Sequence, residues 1–158
     1  MHRKLILFFS SAGGLGYVPK APGTFGTLAA LPIWWLCADL SLPIYASICV
    51  VSTLFAVWIS HRADEIYGSH DCGKIVIDEV VGCMVAAVGI PWEWRWVLAT
   101  FILFRVLDIL KPPPIRWFDR NLDGGLGVVL DDIVAGVIAS GILNLAYHTQ
   151  TLWLPWIQ

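Results

Sequence analysis

Two acidic pairs, Asp78-Glu79 and Asp131-Asp132, stand in nearly the same local frame, each at the junction of a short apolar run with a longer one. Ile75-Val76-Ile77 precedes the first pair and Val80-Val81-Gly82 follows it; Val128-Val129-Leu130 precedes the second and Ile133-Val134-Ala135 follows it. Carboxylates at such boundaries need positive company, because an uncompensated charge in a poorly solvated setting is strongly unfavourable. A divalent metal ion would supply it, and so would a network of Lys and Arg. Helix capping and dipole compensation favour acids in a first turn as well, so caps and ion pairs stand beside metal binding as readings. Gly82 and Ala135 each lie four residues after the first acid of their pair. That spacing leaves a small side chain on the same helical face. Two such helices could approach closely and bring the pairs together, as in bundle metal sites.

Cations for a charged substrate are concentrated in the segment Arg105, Asp108, Lys111, Pro112-Pro113-Pro114, Arg116, Asp119, Arg120. Arg forks and a Lys point charge suit phosphate, in competition with a solvated ion-pair face. Arg105 and Asp108 are spaced i,i+3 at the end of an apolar helix, and Asp108 either orients Arg105 or joins the metal shell. Lys74, in His70-Asp71-Cys72-Gly73-Lys74, and Lys20 and Thr24, in the glycine-rich stretch from Ser11 to Thr27, are further phosphate-binding candidates. That stretch opens a helix for which Thr24 is available as N-cap, and its backbone amides can cradle an anion. No Cys-x5-Arg, Asp-x-Asp-x-Thr or Gly-x-Ser-x-Gly pattern is present, and His61 and His70 are the only histidines in the polar segments beyond the N-terminus. The usual covalent routes to phosphate or acyl transfer therefore lack their signatures. Water activated by a metal, with carboxylates around the ion and cations on the phosphate, is the chemistry left.

The elements that must position these groups are predominantly apolar. The 158 residues are 58% hydrophobic and 14% charged, with mean hydropathy +0.72. Soluble domains carry about a quarter charged residues. The expectation is an all-α, compact polytopic membrane bundle of four to five short helices, forming one domain over residues 1–158. Candidate spans are Thr24–Ala38, Leu42–Ser60, Val80–Ile90, Trp94–Leu110 and Ile133–Tyr147, several of them shorter than the roughly 20 residues of a full crossing. Lys and Arg fall in alternate connections, which puts the three long polar segments and the N-terminus on the cytoplasmic side and the C-terminus outside. The nine tryptophans cluster near the ends of apolar runs, as interfacial anchors do. Cys37, Cys49, Cys72 and Cys83 lack metal-site or disulfide spacing and read as small apolar residues. The basic start with Leu5–Phe9 is short for a signal peptide and is expected to be retained. A net charge of −2 names no nucleic-acid partner.

Taken together, Ala21-Pro22-Gly23-Thr24 with Gly26-Thr27, Asp78-Glu79-Val80-Val81-Gly82, Phe104-Arg105-Val106-Leu107-Asp108-Ile109-Leu110-Lys111-Pro112, Pro114-Ile115-Arg116 and Asp131-Asp132-Ile133-Val134-Ala135-Gly136 resemble the phosphatidylglycerophosphatase A family. The resemblance covers nearly the whole chain in order. It implies a bacterial inner-membrane, Mg²⁺-dependent phosphatase that converts phosphatidylglycerophosphate to phosphatidylglycerol. It carries the family motifs onto Asp78, Glu79, Asp108, Lys111, Arg116, Asp119, Arg120, Asp131 and Asp132. On this reading Asp78, Glu79, Asp131 and Asp132 surround one or two Mg²⁺ ions, and Lys111, Arg116 and Arg120 bind the phosphomonoester at the cytoplasmic mouth. Two other readings compete with this one. A CDP-alcohol phosphotransferase would need an Asp-Gly-x-x-Ala-Arg signature, missing after Asp123-Gly124, and an ion transporter would spread its carboxylates across the membrane depth.

Overall fold

The computed structural model describes residues 2–69 and 72–153, with side chains described through residue 150. Seven α-helices and no strand occur among the described residues: α1 (Arg3–Ser10), α2 (Pro22–Cys37), α3 (Leu42–Tyr67), α4 (Ile77–Ala86), α5 (Trp94–Leu110), α6 (Ile115–Asn121) and α7 (Gly124–Trp153), with a 3₁₀ turn at Leu15–Tyr17. The sequence predicts four to five. The two further helices, α1 and α6, have 8 and 7 residues; α1 falls in the basic start and its brief apolar stretch, and α6 in a segment expected to be a polar connection.

The long helices run further than their apolar stretches. α3 continues through Ser60 into a polar end carrying Arg62 and Glu65, paired at 2.7 Å, and stops at Gly68. That glycine adopts φ 68° and returns its N–H to the Asp64 carbonyl at 2.8 Å. Glycine takes such a left-handed cap without steric cost. α7 begins at Gly124 rather than near Ile133, so the Asp131-Asp132 pair lies well inside it. Three glycines disfavour a helix there, but tertiary contact overrides the propensity. A Cβ on Gly125 would stand 1.9 Å from the Val57 carbonyl oxygen and 2.8 Å from the His61 nitrogen, so the start of α7 packs directly on the α3 backbone.

Thr24 does not cap α2. Ala21 is the N-cap, at φ 51°, Pro22 occupies the first turn, and the Thr24 N–H bonds the Ala21 carbonyl at 3.0 Å. A proline suits that first turn because its missing N–H has no partner there anyway. α3 and α7 are long and apolar enough to cross a membrane by length and composition. α2, α4 and α5 have 16, 10 and 17 residues. These fall short of a full untilted span, so the five expected spans reduce to two of sufficient length. The outward faces are apolar, with Leu36, Val51, Leu54, Trp94 and Leu145 all exposed. Trp34 departs from the interfacial expectation: it is buried and meets Trp92 edge-on at 5.0 Å between ring centroids. Residues 154–158, including Trp156, lie outside the described residues, as do His70 and Asp71.

The shortest of the apolar helices, α4, is the most enclosed, and its main partner is α7. Their backbones nearly touch. A Cβ on Gly136 would lie 2.4 Å from the Gly82 carbonyl oxygen, and one on Gly82 would lie 2.7 Å from the Phe104 ring and 2.9 Å from the Asp132 carbonyl oxygen. The small pair in contact is therefore Gly82 with Gly136, one residue on from the expected Ala135, which is itself buried. Beyond α4, the Val88 carbonyl accepts from Ser140 Oγ at 3.0 Å and Asn144 Nδ2 at 2.9 Å, while Tyr45 donates to the Met84 carbonyl at 3.0 Å. Gly136→Ala is expected to lower the thermal midpoint of the purified protein, by an overpacking penalty of about 1–3 kcal/mol. Gly141→Ala lies on the same helix with nothing within 4 Å of its added Cβ. That change should hold or raise the midpoint, since alanine is the better helix former. Equal midpoints for the two variants would show that α4 and α7 separate freely.

Candidate active site

The ends of four helices meet at one end of the molecule: the starts of α2 and α4, the end of α5 and the first turns of α7. They enclose a cavity of about 210 Å³ lined by Pro22, Gly23, Gly73, Ile75, Asp78, Glu79, Asp108, Lys111, Val128, Asp131 and Asp132. Both acidic pairs reach it. Asp78, Glu79 and Asp132 each offer an oxygen, and these atoms lie within 4.8 Å of one another. Asp131 lines the same cavity but bonds Lys111 Nζ at 2.6 Å instead of joining the three converging ligand atoms.

Lys111 is placed by an uncommon backbone. As the C-cap of α5 it adopts φ 43°, a left-handed conformation that non-glycine residues seldom take. The turn sends its side chain back to Asp119 of α6 and Asp131 of α7. Burial alone would lower the pKa of this ammonium; hydrogen bonds and charge from the two carboxylates outweigh it and raise the pKa. Lys111 therefore remains a cation. An ammonium has three N–H donors, and two are used here.

Arg105 performs the corresponding service for the first pair. Its Nη1 bonds Asp108 one turn on and approaches Glu79 Oε1 at 3.9 Å. Glu79 fits only because position 23 has no side chain: a Cβ on Gly23 would stand 2.0 Å from Glu79 Oε1 and 3.2 Å from Arg105 Nη1. Burial, with help from the Asp108 charge, pushes the Glu79 carboxyl up to about 7, against a hydrogen bond with Asp78 and the attraction of Arg105. Desolvation wins because it penalises only the charged form. Among the described residues, Glu79 Oε2, Asp131 Oδ1 and Asp132 Oδ2 are buried without a hydrogen-bond partner. Buried carboxylate oxygens in that state suit a hard cation, which prefers oxygen ligands, and the donor set fits one.

The remaining candidates lie outside the cavity lining. Lys20, Arg116 and Arg120 are exposed, Arg116 reaching the Leu110 carbonyl at 3.4 Å. Lys74 turns its side chain toward the rings of Tyr17 and Tyr67. Thr24 sits in the first turn of α2, beside Gly23. The role of Gly23 was not foreseen, although Pro-Gly at a helix start is a signal for close approach of another group.

The sequence profile of the phosphatidylglycerophosphatase A family matches residues 8–147, a range that holds every group lining the cavity. The chain belongs to the phosphatidylglycerophosphatase A family. A phosphatidylglycerophosphatase A of Escherichia coli is 45% identical over 136 residues, covering 85% of this chain and 79% of its own length. One of Haemophilus influenzae is 38% identical over 128 residues, covering 80% and 78%. A Bacteroides thetaiotaomicron protein named "Putative phosphatidylinositol-3-phosphatase" is 35% identical over 142 residues, covering 84% and 87%. No solved structure matches the chain. The chain is a phosphatase, and its acidic cavity is the site that family membership has to account for.

Gly23→Ala should displace the Glu79 carboxylate. Phosphate release is expected to fall about tenfold or more, since a misplacement of about 1 Å can cost a hundredfold, while the thermal midpoint changes little. Wild-type release from this variant would show that Glu79 need not stay where it is held.

Proposed function

We propose that the protein is a Mg²⁺-dependent, membrane-embedded lipid phosphatase that hydrolyses phosphatidylglycerophosphate to phosphatidylglycerol and inorganic phosphate. The observation that carries this reading is the convergence of Asp78, Glu79 and Asp132 beside Lys111 in one cavity of a chain belonging to this family. The names of the Escherichia coli and Haemophilus influenzae relatives support the substrate. The apolar outer faces of α3 and α7 support a membrane setting. Arg62, Lys74, Lys111, Arg116 and Arg120 all belong to the helix ends and connections on the cavity side. Their position supports the cytoplasmic face of a bacterial inner membrane by the positive-inside rule.

Asp78, Glu79 and Asp132 would hold the ion, with Asp131 at the edge of the set. A Mg²⁺ ion held there would supply positive charge toward a phosphate and lower the pKa of water. Lys111 has its position fixed by Asp119 and Asp131, and its third N–H is left to donate to the phosphate. Asp131 Oδ1, which no donor occupies, accepts a proton from the attacking water. The water oxygen joins phosphorus, the bond from phosphorus to the glycerol oxygen breaks, and that oxygen takes up a proton equivalent to the one passed to Asp131, leaving as the hydroxyl of phosphatidylglycerol and restoring the carboxylate. Arg105 keeps Glu79 and Asp108 in place throughout. The exposed Lys20, Arg116 and Arg120 raise the local concentration of an anionic headgroup rather than touching the reacting phosphate.

Purified protein in detergent should release inorganic phosphate from phosphatidylglycerophosphate with Mg²⁺ and stop under EDTA. Asp132→Asn and Asp131→Asn should each lower turnover by at least about a hundredfold while the protein still elutes as a folded species. Turnover that continues under EDTA would remove the metal from the reaction, and wild-type rates in Asp131→Asn would remove its role as base.

A further inference from the structure

Lys74 stands between two residues that line the acidic cavity, Gly73 and Ile75, yet its own side chain leaves it. Its Nζ lies 5.5 Å from the centre of the Tyr67 ring and 5.8 Å from that of Tyr17. Both separations allow a cation–π contact. The two phenols are themselves joined, Oη to Oη, at 2.9 Å. One hydroxyl donates in that bond, so the accepting tyrosine keeps a hydrogen that it can offer elsewhere. The arrangement puts a cation and a free O–H side by side next to the segment that lines the cavity, with Lys74 and Tyr17 exposed and Tyr67 half-buried.

The backbone beneath it is held firmly. A Cβ on Gly16 would stand 2.0 Å from the Lys74 carbonyl oxygen, so the glycine-rich loop lies directly against Lys74, and the Val76 N–H bonds the Ser10 carbonyl at 2.9 Å. Tyr17 follows Gly16 in that loop, while Tyr67 ends α3. Three separate parts of the chain thus fix one lysine beside the site, whereas Lys20 and Arg120 are exposed and Arg116 reaches the Leu110 carbonyl.

The proposed substrate carries two phosphates, a terminal monoester and an inner diester, joined through glycerol. The site offers two fixed ammonium groups, Lys111 inside the cavity and Lys74 at its rim. We infer that Lys74, positioned by Tyr17 and Tyr67, binds the phosphodiester while the cavity holds the terminal phosphomonoester, so that the enzyme selects a lipid bearing both. A lipid whose single phosphate is attached directly to diacylglycerol satisfies the cavity and leaves the rim empty. This assignment rests on the lipid-phosphatase reading and adds the headgroup feature that the rim recognises.

The test uses the full chain, purified in nonionic detergent with Mg²⁺, and two probes that separate the ends of the headgroup: short-chain phosphatidylglycerol, which has only the diester, and inorganic phosphate, which mimics only the monoester. Each is titrated calorimetrically and as an inhibitor of hydrolysis. Lys74→Gln is expected to weaken phosphatidylglycerol binding about tenfold and to leave inorganic phosphate within about twofold, with Lys74→Arg restoring most of the loss. The double change Tyr17→Phe with Tyr67→Phe keeps both rings and should weaken phosphatidylglycerol about threefold; it makes the same comparison if Lys74→Gln does not fold. Equal weakening of both probes would make the lysine a structural clasp, and undiminished phosphatidylglycerol binding would remove it from recognition; either result overturns the inference. Failure of the wild type to hydrolyse phosphatidylglycerophosphate would instead overturn the parent reading, since the calorimetric comparison needs no turnover.

Discussion

The near-contact of the α4 and α7 backbones at Gly82 and Gly136 is the constraint on which the site depends. α4 has only 10 residues and carries two acids in its first turn, while α7 carries the other two as its eighth and ninth residues. Carboxylates on two helices do not meet at the usual interaxial distance of about 8–10 Å unless the helices are unusually close or the side chains reach along the axis. Here the glycines remove the side chains that would hold the axes apart, and Phe104 from α5 closes the same contact from the side. The anchoring of the far end of α4 through Val88, Ser140 and Asn144 serves the same purpose, because a short helix pinned at both ends cannot rotate its acids out of register.

Close approach of acids creates an electrostatic problem, and the chain solves it with cations brought from elsewhere. Arg105 comes from the body of α5 and Lys111 from its C-cap, so a single helix supplies both. The positive φ at Lys111 makes the second placement work. An ordinary continuation of α5 would carry residue 111 on around the helix, whereas the left-handed turn redirects it to Asp119 and Asp131. α6 contributes through Asp119 and is itself seated by Ile115, which is fully buried. The short helix that the sequence hides within a polar connection is thus the brace for the lysine inside the cavity.

What could be read in advance, and what could not, follows from the range of the interactions involved. The acidic pairs, the i,i+3 relation of Arg105 to Asp108 and the start of α4 at its acids depend on local chemistry, and residues 75–82 and 105–108 display it openly. The start of α7 did not, because Gly124, Gly125 and Gly127 have poor helix propensity and become helical only against Val57 and His61, far back in the chain. Thr24 has the right type for a cap, but Pro22 already occupies the first turn. The separation of Asp131 from the other three acids was equally hidden: its partner, Lys111, belongs to another helix and reaches it only through a backbone conformation that composition does not announce. For Trp34, position near the end of an apolar run suggested an interface, and the neighbouring Trp92 ring made it core.

Asp78, Glu79, Asp108, Asp131 and Asp132 line the cavity, with Lys111 the one cationic residue of its lining among the described residues, so the lining is rich in acid. A phosphate ester arriving there is repelled at close range, where screening by salt is weakest. A divalent cation held among these acids would offset much of that repulsion. On the proposed metal-dependent reading, the ion would have to load before the lipid, and its occupancy would set how much of the protein is competent to bind substrate.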